Sequence, residues 1–204
     1  MKVFLILFLT MAVRVASAQQ NYNDFEGNCH YILDYKSGRL NSKAKNPEKD
    51  TINNSKYCAK YSRASSETFD NIKLLLKRKL EDVSVYANYS TDSPKIKMKV
   101  YSSSPPGTLI EIQLGKKTGQ EYPACIHSQY QVKTTKENEW EELEFSFSQI
   151  PKGSRVKSVE VNQIIILFAP GVKEKETFYF DDLTGPLFLD QKIMKLKMYK
   201  PPKN

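Results

Sequence analysis

Two groups of side chains in this sequence are of a type that does chemistry. The first is acidic: Asp24 and Glu26 flank Phe25 near the start, and Asp181 and Asp182 close the aromatic run Phe178-Tyr179-Phe180 near the end. Carboxylate oxygens are hard ligands of the kind Ca²⁺ gathers, about six to eight at a time with help from carbonyls. The second group is polar: Tyr101, Glu111, Gln113, His127, Gln129 and Gln131. An aromatic ring for the apolar face of a pyranose, with planar amides and a carboxylate for its hydroxyls, is what sugar recognition requires. These six are assigned as ligand contacts, against the plainer reading of a hydrated sheet face. Catalysis is not expected. A glycosidase needs two carboxylates about 5–9 Å apart across a scissile bond. Glu111, Glu142 and Glu144 could share an outward face, but alternating glutamates on a strand are ordinarily solvated. There is no nucleophile elbow, Ser-His-Asp order or phosphate loop. Trp140, the single tryptophan, opens an alternating strand and is read as core or rim packing.

The elements that must carry these residues are strands. Ile96, Met98 and Val100 alternate with Lys97, Lys99 and Tyr101, the pattern of a half-buried strand. After the turn at Pro105-Pro106-Gly107, Ile110, Ile112 and Leu114 oppose Glu111 and Gln113. Ile126, Tyr130 and Val132 then oppose His127, Gln129 and Gln131. Leu143, Phe145 and Phe147 oppose Glu142, Glu144 and Ser146. The stretch from Val161 to Leu183 reads as a β-hairpin: an apolar run, a Pro170-Gly171 break, and an aromatic run. Lys36 to Asn54 is polar and without period, and reads as a long loop. Asn71 to Leu80, by its own pattern, favours a helix. Seven to nine strands separated by turn signals predict an all-β sandwich.

The ends differ from this body. Lys2 precedes the apolar segment Val3–Val13, and Ala16-Ser17-Ala18 supplies a cleavage site, so residues 1–18 read as a secretory signal peptide. A membrane anchor is the alternative, but the run is short of the ~20 residues a spanning helix needs. Residues 19–190 form the predicted sandwich and 191–204 a basic tail. The formal charge of +8 includes Lys2 and Arg14 of the leader. The remaining lysines are dispersed, which excludes a nucleic-acid footprint clustered on one face. The three cysteines, Cys29, Cys58 and Cys125, predict one bridge and one free thiol in an oxidising compartment. Cys29 with Cys58 is the favoured pair. No C-x-x-C exists, and His30 and His127 lack metal-ligand spacing. Asn53-Asn54-Ser55 and Asn88-Tyr89-Ser90 match the glycosylation pattern, which has meaning only in a eukaryotic secretory pathway.

Several short motifs follow one another in order: D-F-E at Asp24, Y-C-A-K-Y at Tyr57, F-D-N-I at Phe69, and M-K-V-Y-S-S-S-P-P-G at Met98. After them come N-E-W-E-E-L-E-F-S-F-S at Asn138, N-Q-I-I-I-L-F-A-P-G at Asn162 and F-Y-F-D-D-L at Phe178. This succession resembles the galactose-binding-like β-jelly-roll modules of secreted bacterial proteins, especially carbohydrate-binding modules that accompany glycoside hydrolases. It covers about residues 24–187. The resemblance implies two facing antiparallel sheets, with Leu74–Leu80 extended instead of helical. It also implies that the first and last strands lie close, so that Asp24, Glu26, Asp181 and Asp182 converge on a structural calcium, through Glu26 and one of Asp181 or Asp182. Most such modules sit beside a catalytic or sorting domain, whereas this sequence carries the module alone. The expected protein is secreted and extracellular, or periplasmic or at the cell surface in a bacterium. It binds a carbohydrate or glycan surface without catalysis. The alternatives are an adhesion protein that docks another protein through the same sandwich, and a stand-alone hydrolase.

Overall fold

Alternating apolar residues decide which way each strand faces, and the computed structural model shows where the faces meet. It describes residues 19–190, so the predicted signal peptide (1–18) and basic tail (191–204) lie outside the described residues. The front sheet runs in the order β2 (Tyr31–Lys36), β5 (Asn71–Leu76), β10 (Gln163–Phe168), β7 (Leu109–Gly115) and β8 (Ile126–Lys133). The back sheet contains β6 (Ile96–Ser102), β11 (Thr177–Gly185), β4 (Tyr57–Ser62) and β3 (Arg39–Lys45), with β1 (Gln20–Asn23) beside β11. The strand β9 (Trp140–Gln149) belongs to both. Its first half pairs with β6 and its last residues pair with β8. All pairings are antiparallel. The fold is therefore the β-sandwich jelly roll expected from the sequence.

The core lies between the sheets. Ile72, Leu74, Ile110, Ile112, Ile164 and Ile166 come from the front, and Met98, Val100, Tyr61, Phe178 and Phe180 from the back; all are essentially fully buried. Burying each such side chain contributes about 1.5–3 kcal/mol.

Three expectations are corrected. The stretch Val161–Leu183 is not a hairpin. β10 sits in the front sheet between β5 and β7, and β11 sits in the back sheet between β6 and β4. Ala169 and Gly171 adopt positive φ (47° and 92°) and turn the chain across the sandwich. The two runs meet through stacked rings, Phe168 on Phe178 at 4.6 Å, and not through ladder hydrogen bonds. The predicted loop at 36–54 contains β3, an edge strand whose polar sequence R-L-N-S-K-A-K buries only Ala44. Lysines on an edge strand discourage pairing with another chain. Asn71–Leu76 is a strand with inward Ile72, Leu74 and Leu76, as the resemblance implied.

Candidate functional site

The outward face of the front sheet holds a cleft of about 370 Å³. Registry aligns its floor. Lys73 on β5 lies opposite Ile165 on β10, Ile165 opposite Gln113 on β7, and Gln113 opposite Gln129 on β8. One pleat away, Asn71, Leu167, Glu111 and Gln131 form a second row. The continuous run I-I-I-L-F explains half of this floor. Ile164 and Ile166 fill the core while Ile165 and Leu167 point the other way, into a small apolar cluster with Cys125 and Ile126. Phe69 and Pro170 rise at one end and Tyr122 of the β7–β8 loop at the other. Phe69 is 66% exposed and Tyr122 58% exposed, so both rings are available to a ligand.

Glu111 is the polar centre. Its Oε1 accepts from Gln113 Nε2 at 2.6 Å and from Gln129 Nε2 at 2.7 Å, and its Oε2 accepts from Gln131 Nε2 at 2.6 Å. Gln149 extends the chain by donating to Gln129 Oε1 at 2.8 Å. Glu111 is 6% exposed and has no lysine or arginine partner among the described residues.

Of the six residues assigned as ligand contacts, Glu111, Gln113, Gln129 and Gln131 come together here. The structure places the other two elsewhere. Tyr101 is on β6 in the back sheet, edge-on to Trp140 and Tyr179 at 5.8 Å each. His127 falls where the β7–β8 register slips, with Leu114 opposite Ser128 but Gly115 opposite Ile126. This bulge puts Ile126 in the cleft and removes His127 from it. His127 Nδ1 pairs with Ser128 Oγ at 2.9 Å. Burial lowers its pKa, opposed by nearby Asp82. Trp140 is buried, with Nε1 donating to Glu48 O at 2.7 Å and Asn46 Oδ1 at 3.0 Å.

The four acids assigned to calcium do not gather as a set. Asp24 is turned into its own loop. Burial pushes its carboxyl up, but hydrogen bonds from Asn28, Glu26 and Gly27 outweigh that and hold it below the usual range. Asp182 pairs with Lys99 at 2.7 Å and accepts from Asn21. Glu26 and Asp181 instead both meet the segment 53–57. Glu26 Oε1 accepts from the N–H groups of Lys56 and Tyr57. Asp181 accepts from Asn53 Nδ2 at 3.0 Å and from the Asp182 N–H at 2.8 Å. Burial, with neighbouring Asp182, raises the Asp181 pKa to about 6, against the opposing pull of the hydrogen bonds it accepts from Asn53 and the Asp182 N–H. The carboxylate oxygens of both Glu26 and Asp181 thus face N–H donors of that segment and of Asp182. Among the described residues, no three His, Cys, Asp or Glu side chains form a metal-sized group.

The three cysteines are free, which corrects the predicted bridge. Cys29 is exposed in the β1–β2 turn with its thiol on Tyr31 O at 3.3 Å. Cys58 is buried on β4, its pKa pushed up to about 12 by burial and by Asp181. Sequence reasoning also missed Phe69, Tyr122, Lys73, Ile165, Leu167 and Gln149. The signal for Ile165 and Leu167 was present: an antiparallel strand that is apolar on both faces needs a second surface to cover it. Phe69 and Tyr122 sit in loops, where no periodicity marks them.

No protein-family profile and no curated protein matches the chain. Solved structures share its fold. The family 11 carbohydrate-binding module of the cellulosomal cellulase Lic26A-Cel5E of Clostridium thermocellum is similar over 85% of this chain and 96% of its own, with a TM-score of 0.52 at 15% identity. A family 11 module from Clostridium thermocellum in complex with a β-1,3-1,4-mixed-linked tetrasaccharide is similar over 81% of this chain and 94% of its own (TM-score 0.50, 13% identity). An exo-β-agarase is similar over 87% of this chain but 26% of its own (TM-score 0.50, 8% identity). At such identities the likeness is one of fold.

Proposed function

We propose that this protein is a secreted, non-catalytic binder of polysaccharide, which it holds in the cleft of the front sheet. The observation that carries the reading is the pairing of two exposed rings, Phe69 and Tyr122, with an apolar floor and an amide–carboxylate cluster. Sugar rings present alternating CH faces and hydroxyl edges, and this floor offers a counterpart to each. The fold shared with carbohydrate-binding modules supports the reading. Glu111 is the only carboxylate among the residues lining the cleft, which favours binding over two-carboxylate hydrolysis. A structural calcium at Asp181 and Glu26 belongs to the same proposal and lies on the other sheet, remote from the sugar. A rival reading has one specific observation behind it: Ile32, Leu33 and Tyr35 are exposed on edge strand β2, a surface suited to another protein.

Polysaccharide pulldown and affinity electrophoresis decide between them. Retention by one or more polysaccharides is expected, lost with Phe69→Ala plus Tyr122→Ala and kept with Ile32→Ser. Absence of retention on every polymer tested overturns the proposal. Turnover of any glycoside in the panel by the pure protein overturns its non-catalytic part.

A further inference from the structure

Resting on the cleft as the sugar site, we infer that Glu111 is a positioning residue that orients a fan of glutamines and restricts the cleft to uncharged polysaccharides. A carboxylate can only accept hydrogen bonds, so each amide facing it must turn its Nε2 inward. Three do so, at 2.6–2.7 Å. A solvated glutamine amide turns over freely, but here a flip would set a carbonyl against a buried carboxylate. The orientation is therefore fixed before any ligand arrives, which reduces the ordering cost of binding.

The consequence is a defined pattern at the surface. Gln129 has both ends engaged, since Gln149 donates to its Oε1. Among the described residues nothing donates to Gln113 Oε1 or Gln131 Oε1, so Gln113, which lines the cleft, offers it a carbonyl and its second N–H, and Gln131 holds the same groups ready beside the far oxygen of Glu111. A sugar hydroxyl, donor and acceptor at once, matches that pattern. The carboxylate of a uronate, or a sulfate group, in that place brings acceptors only, and brings them beside a buried charge without a counter-ion. Lys73 is the cleft's cation, but it lies two strands away from Gln113 in the same row, with its Nζ over the Tyr35 ring at 5.3 Å. It does not neutralise Glu111. Specificity here comes from an element that repels the wrong ligand as well as one that attracts the right one.

The test uses the full protein in affinity gels containing a retained neutral polysaccharide or the same polymer carboxymethylated, at low and high salt. The wild type is expected to bind the neutral polymer at least about tenfold more tightly at low salt. High salt is expected to narrow that ratio, because screening weakens the repulsion. Glu111→Gln is expected to weaken neutral binding about tenfold and to bring the two polymers within about twofold of each other. A merely structural role would lower both affinities together and leave their ratio intact, and that result overturns the inference. Equal wild-type binding to both polymers also overturns it while the sugar-binding reading stands. Absence of wild-type binding to any neutral polymer overturns both. The wild-type ratio and its salt dependence need no variant, so misfolding of Glu111→Gln does not remove the test.

Discussion

On the back sheet, the outward row Lys60, Tyr179, Tyr101 and Trp140 is roofed at its Trp140 end by Asn46 and Glu48, which take the indole hydrogen bond. On the front sheet, the outward row Lys73, Ile165, Gln113 and Gln129 has walls at Phe69 and Tyr122 but forms the floor of a cleft. Both rows mix rings or apolar residues with polar groups, and composition does not tell them apart. The difference lies in the connections: residues 46–55 lie across one sheet, whereas the connections around the other stand at its margins. An aromatic under a roof contributes to stability, and an aromatic on a wall is left for a ligand.

The largest expected effect tests the roof. Trp140→Ala removes a fully buried indole and the hydrogen bond it donates to Glu48 O, while Asn46 Oδ1 keeps only the Glu48 N–H, which together costs about 3–5 kcal/mol of unfolding free energy. Denaturant unfolding reads it, and the variant, measured where it is folded, should retain polysaccharide like the wild type. Loss of binding with full stability would reverse the assignment of the two faces.

Next comes the ion proposed beneath the same roof. Asn53 ties the covering segment to Asp181, and Glu26 ties it to the β1–β2 loop. A calcium held by those two carboxylates couples to folding by mass action. Chelator at neutral pH is expected to lower the melting temperature by about 5 °C, corresponding to roughly 2 kcal/mol. In Asp181→Asn the chelator should have no further effect. An unchanged wild-type melt in chelator removes calcium from the account.

The walls of the cleft predict the opposite signature. Tyr122→Ala and Phe69→Ala should each weaken polysaccharide binding by about tenfold, near 1.4 kcal/mol, with unfolding free energy within about 0.5 kcal/mol of the wild type because both rings are exposed. Calorimetric titration beside a denaturant melt separates the two quantities. Equal losses of affinity and stability would place these rings in the core economy of the fold.

How much of this was legible in the sequence depended on whether a residue's role is set by its own strand or by its neighbours. Alternation along Ile96–Ser102 and Leu109–Gly115 gave the inward faces, because the pleat is local. Four of the six polar contacts came out on one surface for the same reason. His127 did not, since a bulge changes which side a residue faces and nothing in H-S-Q-Y marks it. Tyr101 did not, because alternation shows a face but not a sheet. The pairing of β10 with β11 failed similarly: two apolar runs joined by a short loop look like hairpin partners, and only the positive φ at Ala169 and Gly171 turns them into facing layers.

Glu111 and Glu144 bring the comparison to a single residue type. Each stands on a strand between apolar neighbours and each faces outward, but by sequence Glu111 is assigned as a ligand contact and Glu144 as a solvated glutamate. In the back sheet, Glu144 is 54% exposed at its side chain and meets Lys97 at 2.5 Å. Its neighbour Glu142 reaches the same lysine only at 4.0 Å. Exposed pairs of this sort contribute about 0–1 kcal/mol, because water solvates both charges nearly as well as they solvate each other. Glu144→Gln is therefore expected to change unfolding free energy by less than about 0.5 kcal/mol and to leave both polysaccharide affinity and the neutral-to-carboxymethylated ratio at their wild-type values. Glu111→Gln, the same exchange of one oxygen for an amide nitrogen, turns a donor toward amides that are already donating. Should the two exchanges behave alike in the affinity gels, the difference between a roofed and an open sheet face would not reach the level of a single carboxylate, and the orientation of the glutamine fan would have to come from something other than Glu111.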